Sequence, residues 1–155
     1  MITKHRKKNE NFTTIKKYNV TLKKVTKSDC RFLFNLLKQR DSITNISHKN
    51  MPSYSQHVKF VLSKPYLNWY VIRLDNKNIG SVYLSHQKEI GIFTDKKFKN
   101  KGIATKALKL IIKKNPYSRY LSNINPKNKN SIKFFKKNKF KLIQHTYELT
   151  KSKLN

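Results

Sequence analysis

The stretch KNKGIATKAL, residues 99–108, places one glycine between lysines where a helical pattern begins. The first backbone N–H groups of a helix are unpaired and carry partial positive charge. Gly102 lets a ligand approach them because it has no Cβ, and Lys99, Lys101 and Lys106 add positive charge around it. These residues predict a cradle for a phosphate group. An ordinary loop, in which Gly102 only caps the helix, explains the same ten residues equally well.

Other signatures of nucleotide or metal chemistry are missing from the sequence. Neither GxxxxGK[ST] nor GxGxxG occurs. No Cys/His cluster has the spacing of a metal site, so we expect no metal. The single cysteine, Cys30, excludes an internal disulfide and fits a reducing cytoplasm, where we expect the protein to act. Because Cys30 is a lone thiol on a predicted helix, we expect it to be buried and structural.

Length and charge narrow the class of protein. The chain has 155 residues, with 36 Lys and Arg against 7 Asp and Glu, which gives a formal net charge of +29. The length suits one domain, which we place at 18–155 behind a basic, flexible arm at 1–17. No apolar run reaches the roughly 20 residues of a membrane span, and the N-terminus lacks the apolar stretch of a secretory signal. We expect non-specific binding of polyanions at low salt, whatever the function.

Hydrophobic periodicity predicts the elements that position these residues. We expect strands at 18–25, 68–74, 79–85, 89–94, 119–125 and 140–150, the last as one bent strand or two short ones. Helices are predicted after Thr26, around 56–64, from Gly102 to Lys114, and at 128–139. The order β-α-α-β-β-β-α-β-α-β-β indicates an α/β (α+β) fold with a mixed sheet and helices on both faces.

Two segments resemble motifs of the GNAT acetyltransferase superfamily. KNKGIA resembles the pyrophosphate motif Q/R-x-x-G-x-G/A of that family, and the matching residues are Lys99, Gly102 and Ala104. NKNSIKFFKKNKF (128–140) is similar to N-x-x-S-x-x-x-Y-x-K-x-G-F, and the matching residues are Asn128, Ser131, Lys137 and Phe140. The resemblance covers residues 18–150. It implies a GNAT-like, mostly antiparallel central sheet and acetyl-CoA as the cofactor.

The resemblance also implies which residues hold acetyl-CoA. A backbone N–H on the strand before the phosphate loop would donate to the thioester oxygen, the loop would hold the pyrophosphate, and Asn128 would contact the pantetheine arm. The implied cofactor-binding residues are Ile92, Phe93, Thr94, Lys99, Asn100, Lys101, Gly102, Ile103, Ala104, Thr105, Asn128, Ser131 and Phe135.

Two positions depart from the family pattern. Phe135 stands where many members have the tyrosine that protonates the CoA thiolate, and Lys139 replaces the glycine before the last phenylalanine. The first departure leaves the general acid open among Tyr117, Tyr120, Tyr147 and a bound water. We expect the second departure to alter only a turn.

Direct acetyl transfer to an amine needs a base that removes the amine proton. Glu89 is the first candidate, because it is one of seven acids and begins the strand that leads to the acetyl site. His57 is the second, because a neutral imidazole accepts a proton near neutral pH. Each candidate also has an ordinary structural explanation. Glu89 can be a carboxylate at a strand edge that pairs with a lysine, and His57 can be a partly exposed histidine on a helix.

The resulting hypothesis is an N-acetyltransferase that moves an acetyl group from acetyl-CoA to a primary amine. Ser55, His57, Trp69 and the Ile79-Gly80 pair resemble the branch that acts on nucleotide-linked amino sugars or ribosomal-protein N-termini, so either is a possible acceptor. A catalytically weak GNAT-like module that binds nucleic acid or acyl-CoA through its basic surface is the alternative. Both a monomer and a homodimer remain open, and no membrane partner is expected.

Overall fold

A computed structural model of the chain describes residues 19–41 and 50–149. The predicted arm at 1–17 lies outside the described residues. Within them, no helix is both long enough and apolar enough to cross a membrane.

Four strands form one antiparallel sheet in chain order. They are β1 (Val20–Lys24), β2 (Asn68–Leu74), β3 (Lys77–Leu84) and β4 (Ile90–Thr94). The β2–β3 hairpin turns through Asp75 and Asn76, whose φ angles of 45° and 70° are those that a tight two-residue hairpin turn requires. β3 pairs with β4 from Gly80 opposite Thr94 to Leu84 opposite Ile90, so β4 has one free edge.

Helices cover both faces of this sheet, as predicted. The helices are α1 (Cys30–Lys38), α2 (Tyr54–Leu62), α3 (Ile103–Lys114) and α4 (Lys129–Lys137). Alternate residues of a strand point to opposite faces. The face with Tyr70 and Ile72 packs against α3, whereas Trp69 on the other face packs against residues of α1 and α2. α4 lies on the α3 side, where Phe134 packs against the same core.

The last two predicted strands are not formed in the described residues. Residues 119–125 contribute a single parallel bridge between Leu121 and Glu89, and residues 141–149 contain no strand. Leu142, Ile143 and Tyr147 are 71%, 63% and 91% exposed. A strand exists only where a neighbour accepts its backbone hydrogen bonds, and the alternating pattern of 140–150 does not specify that neighbour.

Candidate functional site

A cleft opens along the free edge of β4. The segment after α3 meets this edge at the Glu89–Leu121 bridge, where Ile90 N–H donates to Leu121 O at 2.8 Å and Leu121 N–H donates to Lys88 O at 3.0 Å. Past this bridge, in the part of the chain that the structure describes, the segment forms no strand beside β4. The space between the two segments is a cleft of about 100 Å³, bounded by β4, residues 122–125 and α4.

Backbone alternation decides which N–H groups of β4 point towards this edge. In an antiparallel pair, every second residue bonds to the neighbouring strand. Ile90 N–H points away from β3, because it donates to Leu121. Ile92 and Thr94 are two and four residues further on and share this direction. Phe93 lies one residue from each of them, so its N–H group points in the opposite direction, towards β3. Of the three predicted donors, only Ile92 and Thr94 therefore present an N–H group on the cleft edge.

One face of α4 forms the opposite wall of the cleft. Asn128, Ser131 and Phe135 all line it, because a spacing of three and four residues puts them on one helix face. The Asn128 Oδ1 atom accepts from Ser131 N–H at 3.1 Å and caps the helix. Among the described residues the Nδ2 group has no hydrogen-bond partner. Phe135 is buried against Phe134 and Phe140, with ring centroids 5.1 and 5.0 Å away.

The predicted phosphate cradle lies past the end of β4. Asn100 and Gly102 both have left-handed φ angles, 62° and 70°, and they turn the chain into α3. The first helical bond runs from Lys106 N–H to Gly102 O at 3.1 Å. The N–H groups of residues 103–105 therefore precede the first helical bond, and no side chain caps this helix start.

Space for an anion exists in front of these N–H groups. A Cβ built on Gly102 would meet no atom within 4 Å among the described residues, so the approach to the backbone is open. Lys99 and Lys101 are exposed beside it, and the Lys101 Nζ atom lies 5.4 Å from the ring centroid of Phe98. Ile103 turns its side chain into the core and offers only its N–H group. The residues present fit a phosphate group.

Aromatic rings form the part of the cleft that faces α1 and α2. Tyr83 lines the cleft and stacks on Tyr66, with ring centroids 3.9 Å apart and planes at 9°. A Cβ on Gly91 would come within 2.1 Å of the Tyr83 ring, so only glycine leaves room for this ring position. Burial raises the pKa of both the Tyr66 and the Tyr83 hydroxyl, which keeps both phenols neutral and able to donate.

Glu89 lies within the bridge itself, next to the residues that line the cleft but not among them. The Oε1 atom accepts from Asn123 Nδ2 at 2.6 Å, and Oε2 accepts from Ser85 Oγ at 3.2 Å. The Glu89 side chain is half-buried. Among the described residues no lysine lies within ion-pair distance of this carboxylate, so the competing explanation of a lysine-paired carboxylate does not describe it. Asn123 itself lines the cleft.

His57 lies away from the cleft, buried between α1 and α2 at 5% exposure. Its ring centroid is 5.4 Å from that of Phe34, and among the described residues its Nε2 atom has no hydrogen-bond partner. Burial lowers the pKa of His57, and a hydrogen bond with the backbone of Cys30 opposes that effect. Cys30 is itself buried at 3% exposure, as predicted. The structure therefore brings Glu89, but not His57, into contact with a residue of the cleft wall, Asn123.

The three tyrosines considered as general acids lie outside the cleft lining. The Tyr120 hydroxyl donates to the Asn115 carbonyl and accepts from Tyr117 N–H at 2.7 Å, so it closes the end of α3. Tyr117 and Tyr147 are exposed.

Sequence reasoning missed Arg40, Tyr66, Tyr83 and Asn123. Arg40 lines the cleft from just past the end of α1, and its guanidinium carbon lies 5.2 Å from the ring centroid of Phe93. None of these four residues belongs to a recognisable motif, and three lie far from β4 in the sequence. Only the tertiary packing of separate segments around β4 brings them together.

The sequence matches the family model of the acetyltransferase (GNAT) domain over residues 19–141. The chain belongs to the GNAT acetyltransferase family. The match confirms the family resemblance that KNKGIA and residues 128–140 indicated. A search of curated proteins found no significant match to the sequence.

Solved structures share this GNAT fold at low sequence identity. A domain from Methanocaldococcus jannaschii aligns with a TM-score of 0.73 at 21% identity, over 85% of this chain and 94% of the other. An N-acetyltransferase from Staphylococcus aureus aligns at 0.63 and 21% identity, over 79% and 84%. An aminoglycoside N-acetyltransferase in complex with CoA aligns at 0.66 and 16% identity, over 87% and 96%.

Proposed function

We propose that this GNAT protein transfers an acetyl group from acetyl-CoA to a primary amine. The observation that carries the proposal is the course of the chain through β4. The free backbone edge of β4 faces the cleft, and the chain then continues to the start of α3, where no side chain of the described residues caps the helix. One end of this path is suited to a thioester oxygen and the other to a pyrophosphate. The solved aminoglycoside N-acetyltransferase of the same fold holds CoA, which supports this choice of cosubstrate.

Acetyl-CoA, when bound, supplies the acetyl group as a thioester. The N–H groups of residues 103–105 and the side chains of Lys99 and Lys101 bind the pyrophosphate. The Asn128 Nδ2 group donates to the pantetheine arm from the opposite wall. Phe135 presents a ring surface beside it. Ser131 completes this wall with a hydroxyl group.

Glu89 takes the proton of the acceptor amine. It lies three residues before Ile92, about 10 Å along an extended strand, so the proton reaches its carboxylate through a chain of water molecules. Asn123 and Ser85 hold the carboxylate in place. The Ile92 N–H group donates to the carbonyl oxygen as it gains charge. In the transfer, the amine nitrogen forms a bond to the acetyl carbon while the carbon–sulfur bond breaks.

The leaving thiolate must gain a proton to become the free thiol. Phe135 has no proton to give, and the polar side chains on the same face of α4 are Asn128 and Ser131. We assign Ser131 Oγ–H as the group that stabilises the thiolate, with a water molecule as the final proton source. The proton that Glu89 accepts returns to solvent, so the net reaction forms an amide and free CoA.

Thermal stability tests the proposal most directly. The melting temperature is measured with acetyl-CoA, CoA, AMP and RNA at roughly physiological salt, because a ligand that binds only the folded state raises stability by mass action. Acetyl-CoA and CoA are expected to stabilise far more than AMP or RNA. Equal stabilisation by all four would show that the charge of +29 acts without a specific site, and would favour the nucleic-acid-binding alternative.

A further inference from the structure

Arg40 is the only charged side chain that lines the cleft in the part of the chain that the structure describes. It is half-buried, and no described carboxylate lies within ion-pair distance of it. Its guanidinium carbon lies 5.2 Å from the Phe93 ring centroid. Stacking uses the face of a guanidinium group and leaves the N–H donors along its edge for a ligand.

The position of Arg40 puts it on the acceptor side of the cleft. Phe93 and Gly91 alternate with Ile90 and Ile92 along β4, and Ile90 points to the α3 face. Phe93 therefore points to the opposite face, towards α1 and α2, and Arg40 comes from the end of α1 to meet it. The cradle and α4 lie with α3, so the phosphates of acetyl-CoA are on the other side.

The acceptor side carries opposite charges at its two ends. The Tyr83 hydroxyl lies in the fields of both Arg40 and Glu89, which act on it with opposite sign. A protonated amine is attracted to the Glu89 end. A negatively charged group on the same molecule is attracted to the Arg40 end, where the neutral hydroxyl of Tyr83 is a further donor.

We propose that the acceptor is an amine that also carries an oxyanion, and that Arg40 binds this oxyanion beside the reacting amine. This inference rests on the proposed function and names its substrate class. The planar, forked guanidinium group matches both a carboxylate and a phosphate, so the two oxyanions share this recognition chemistry. Because Phe93 follows Ile92 directly, the oxyanion lies only a few bonds from the amine that is acetylated.

Two matched pairs of small amines test the proposal and distinguish the oxyanions. Phosphoethanolamine is compared with ethanolamine, and alanine with alaninamide, at about 150 mM salt, where long-range attraction is screened. The kcat/KM for acetylation is expected to favour at least one charged member by roughly 10- to 100-fold, the range of a charge-assisted hydrogen bond. Preference in the first pair indicates a phosphate, and preference in the second a carboxylate.

A binding measurement gives a second readout that needs no turnover. Trp69 is the only tryptophan in the sequence, and its ring centroid lies 5.0 Å from that of Tyr66. Its fluorescence is titrated with each amine in protein saturated with CoA. The preferred charged amine is expected to bind roughly 10-fold more tightly than its neutral partner. Equal binding of both members in both pairs would overturn the proposal.

Variants assign the preference to Arg40. Arg40→Gln is expected to abolish the preference while leaving the CoA dissociation constant unchanged, and Arg40→Lys to retain part of it. Arg31→Gln is the matched control, since it removes the same charge about 13 Å away at the other end of α1. A loss of CoA affinity in Arg40→Gln, or an equal loss of preference in Arg31→Gln, contradicts the proposal. Failure of the wild-type protein to bind CoA contradicts the proposed function instead.

Discussion

Asn123 donates a hydrogen bond of 2.6 Å from Nδ2 to the Oε1 atom of Glu89, and these two residues lie on opposite sides of the opening beside β4. The bond is made immediately past the bridge at Leu121, where the two segments separate. Glu89 is therefore oriented by the segment that forms the far side of the cleft. The same segment therefore both orients the carboxylate and borders the cleft.

Glu89→Gln tests the general base. Glutamine keeps the length of the side chain and can still accept from Asn123, but it cannot take a proton at neutral pH. We expect kcat to fall by roughly 10²- to 10⁴-fold, the usual contribution of a positioned base, with unchanged CoA affinity. Steady-state kinetics and calorimetry measure the two quantities. Glu148→Gln, at an exposed carboxylate, is the control, and wild-type turnover in Glu89→Gln would exclude this role.

Gly102→Glu tests the phosphate cradle. The new side chain brings bulk and negative charge into the open space in front of α3, so acetyl-CoA is expected to lose its stabilising effect on the melting temperature. The left-handed φ of 70° adds strain of about 1 kcal/mol for most residues. Gly102→Asn is the matched control, because asparagine tolerates this conformation and adds no charge. Equal CoA affinity in Gly102→Glu and Gly102→Asn would place the phosphates elsewhere.

Phe135→Tyr tests how the thiolate is protonated. The ring is packed against Phe134 and Phe140 and Phe135 lines the cleft, so we expect the added hydroxyl group to point into the cleft. We expect the free energy of unfolding to change by less than about 1 kcal/mol and kcat to rise. Denaturant unfolding and steady-state kinetics provide the measurements. A large loss of stability would show that the ring faces the core at its para position.

Acid pH is expected to destabilise the packing of α1 against α2 through His57. The pKa of His57 is lowered in the folded protein, chiefly by burial, so the unfolded chain binds a proton at higher pH than the folded one. The contribution of neutral His57 to the free energy of unfolding is fully present above a pH of about 6.5, which is the pKa of histidine in the unfolded chain. This contribution is lost as the pH falls through the lower pKa of the folded protein. Unfolding of the wild type and of His57→Phe is compared between pH 8 and 5.

His57→Phe retains a ring against Phe34 but removes the buried Nε2 atom that has no partner among the described residues. We expect a shallower loss of stability with acid in this variant. His86→Phe, at an exposed turn position, is the control and keeps the wild-type slope. A parallel pH dependence in the wild type and His57→Phe would show that other groups cause the acid sensitivity.

Local sequence patterns were sufficient for most of the fold. The strand predicted at 68–74 forms over Asn68–Leu74, and the helix predicted from Gly102 to Lys114 forms over Ile103–Lys114. Their periodicity is a property of adjacent residues, so a single segment contains the information. The strands predicted at 119–125 and 140–150 depended on a distant partner, and only Leu121 finds one among the described residues.

The same distinction separates two parts of the candidate site. Gly102 and Asn128 stand in short motifs because a helix start is built by consecutive residues, so the sequence by itself located the starts of α3 and α4. Arg40 and Tyr83 lie 43 residues apart and meet only when α1 packs on the sheet. That packing is driven by burial of apolar surface, which is a non-directional effect. The sequence alone therefore does not show which residues will meet. Tertiary structure alone therefore decided the charge and aromatic character of the acceptor side.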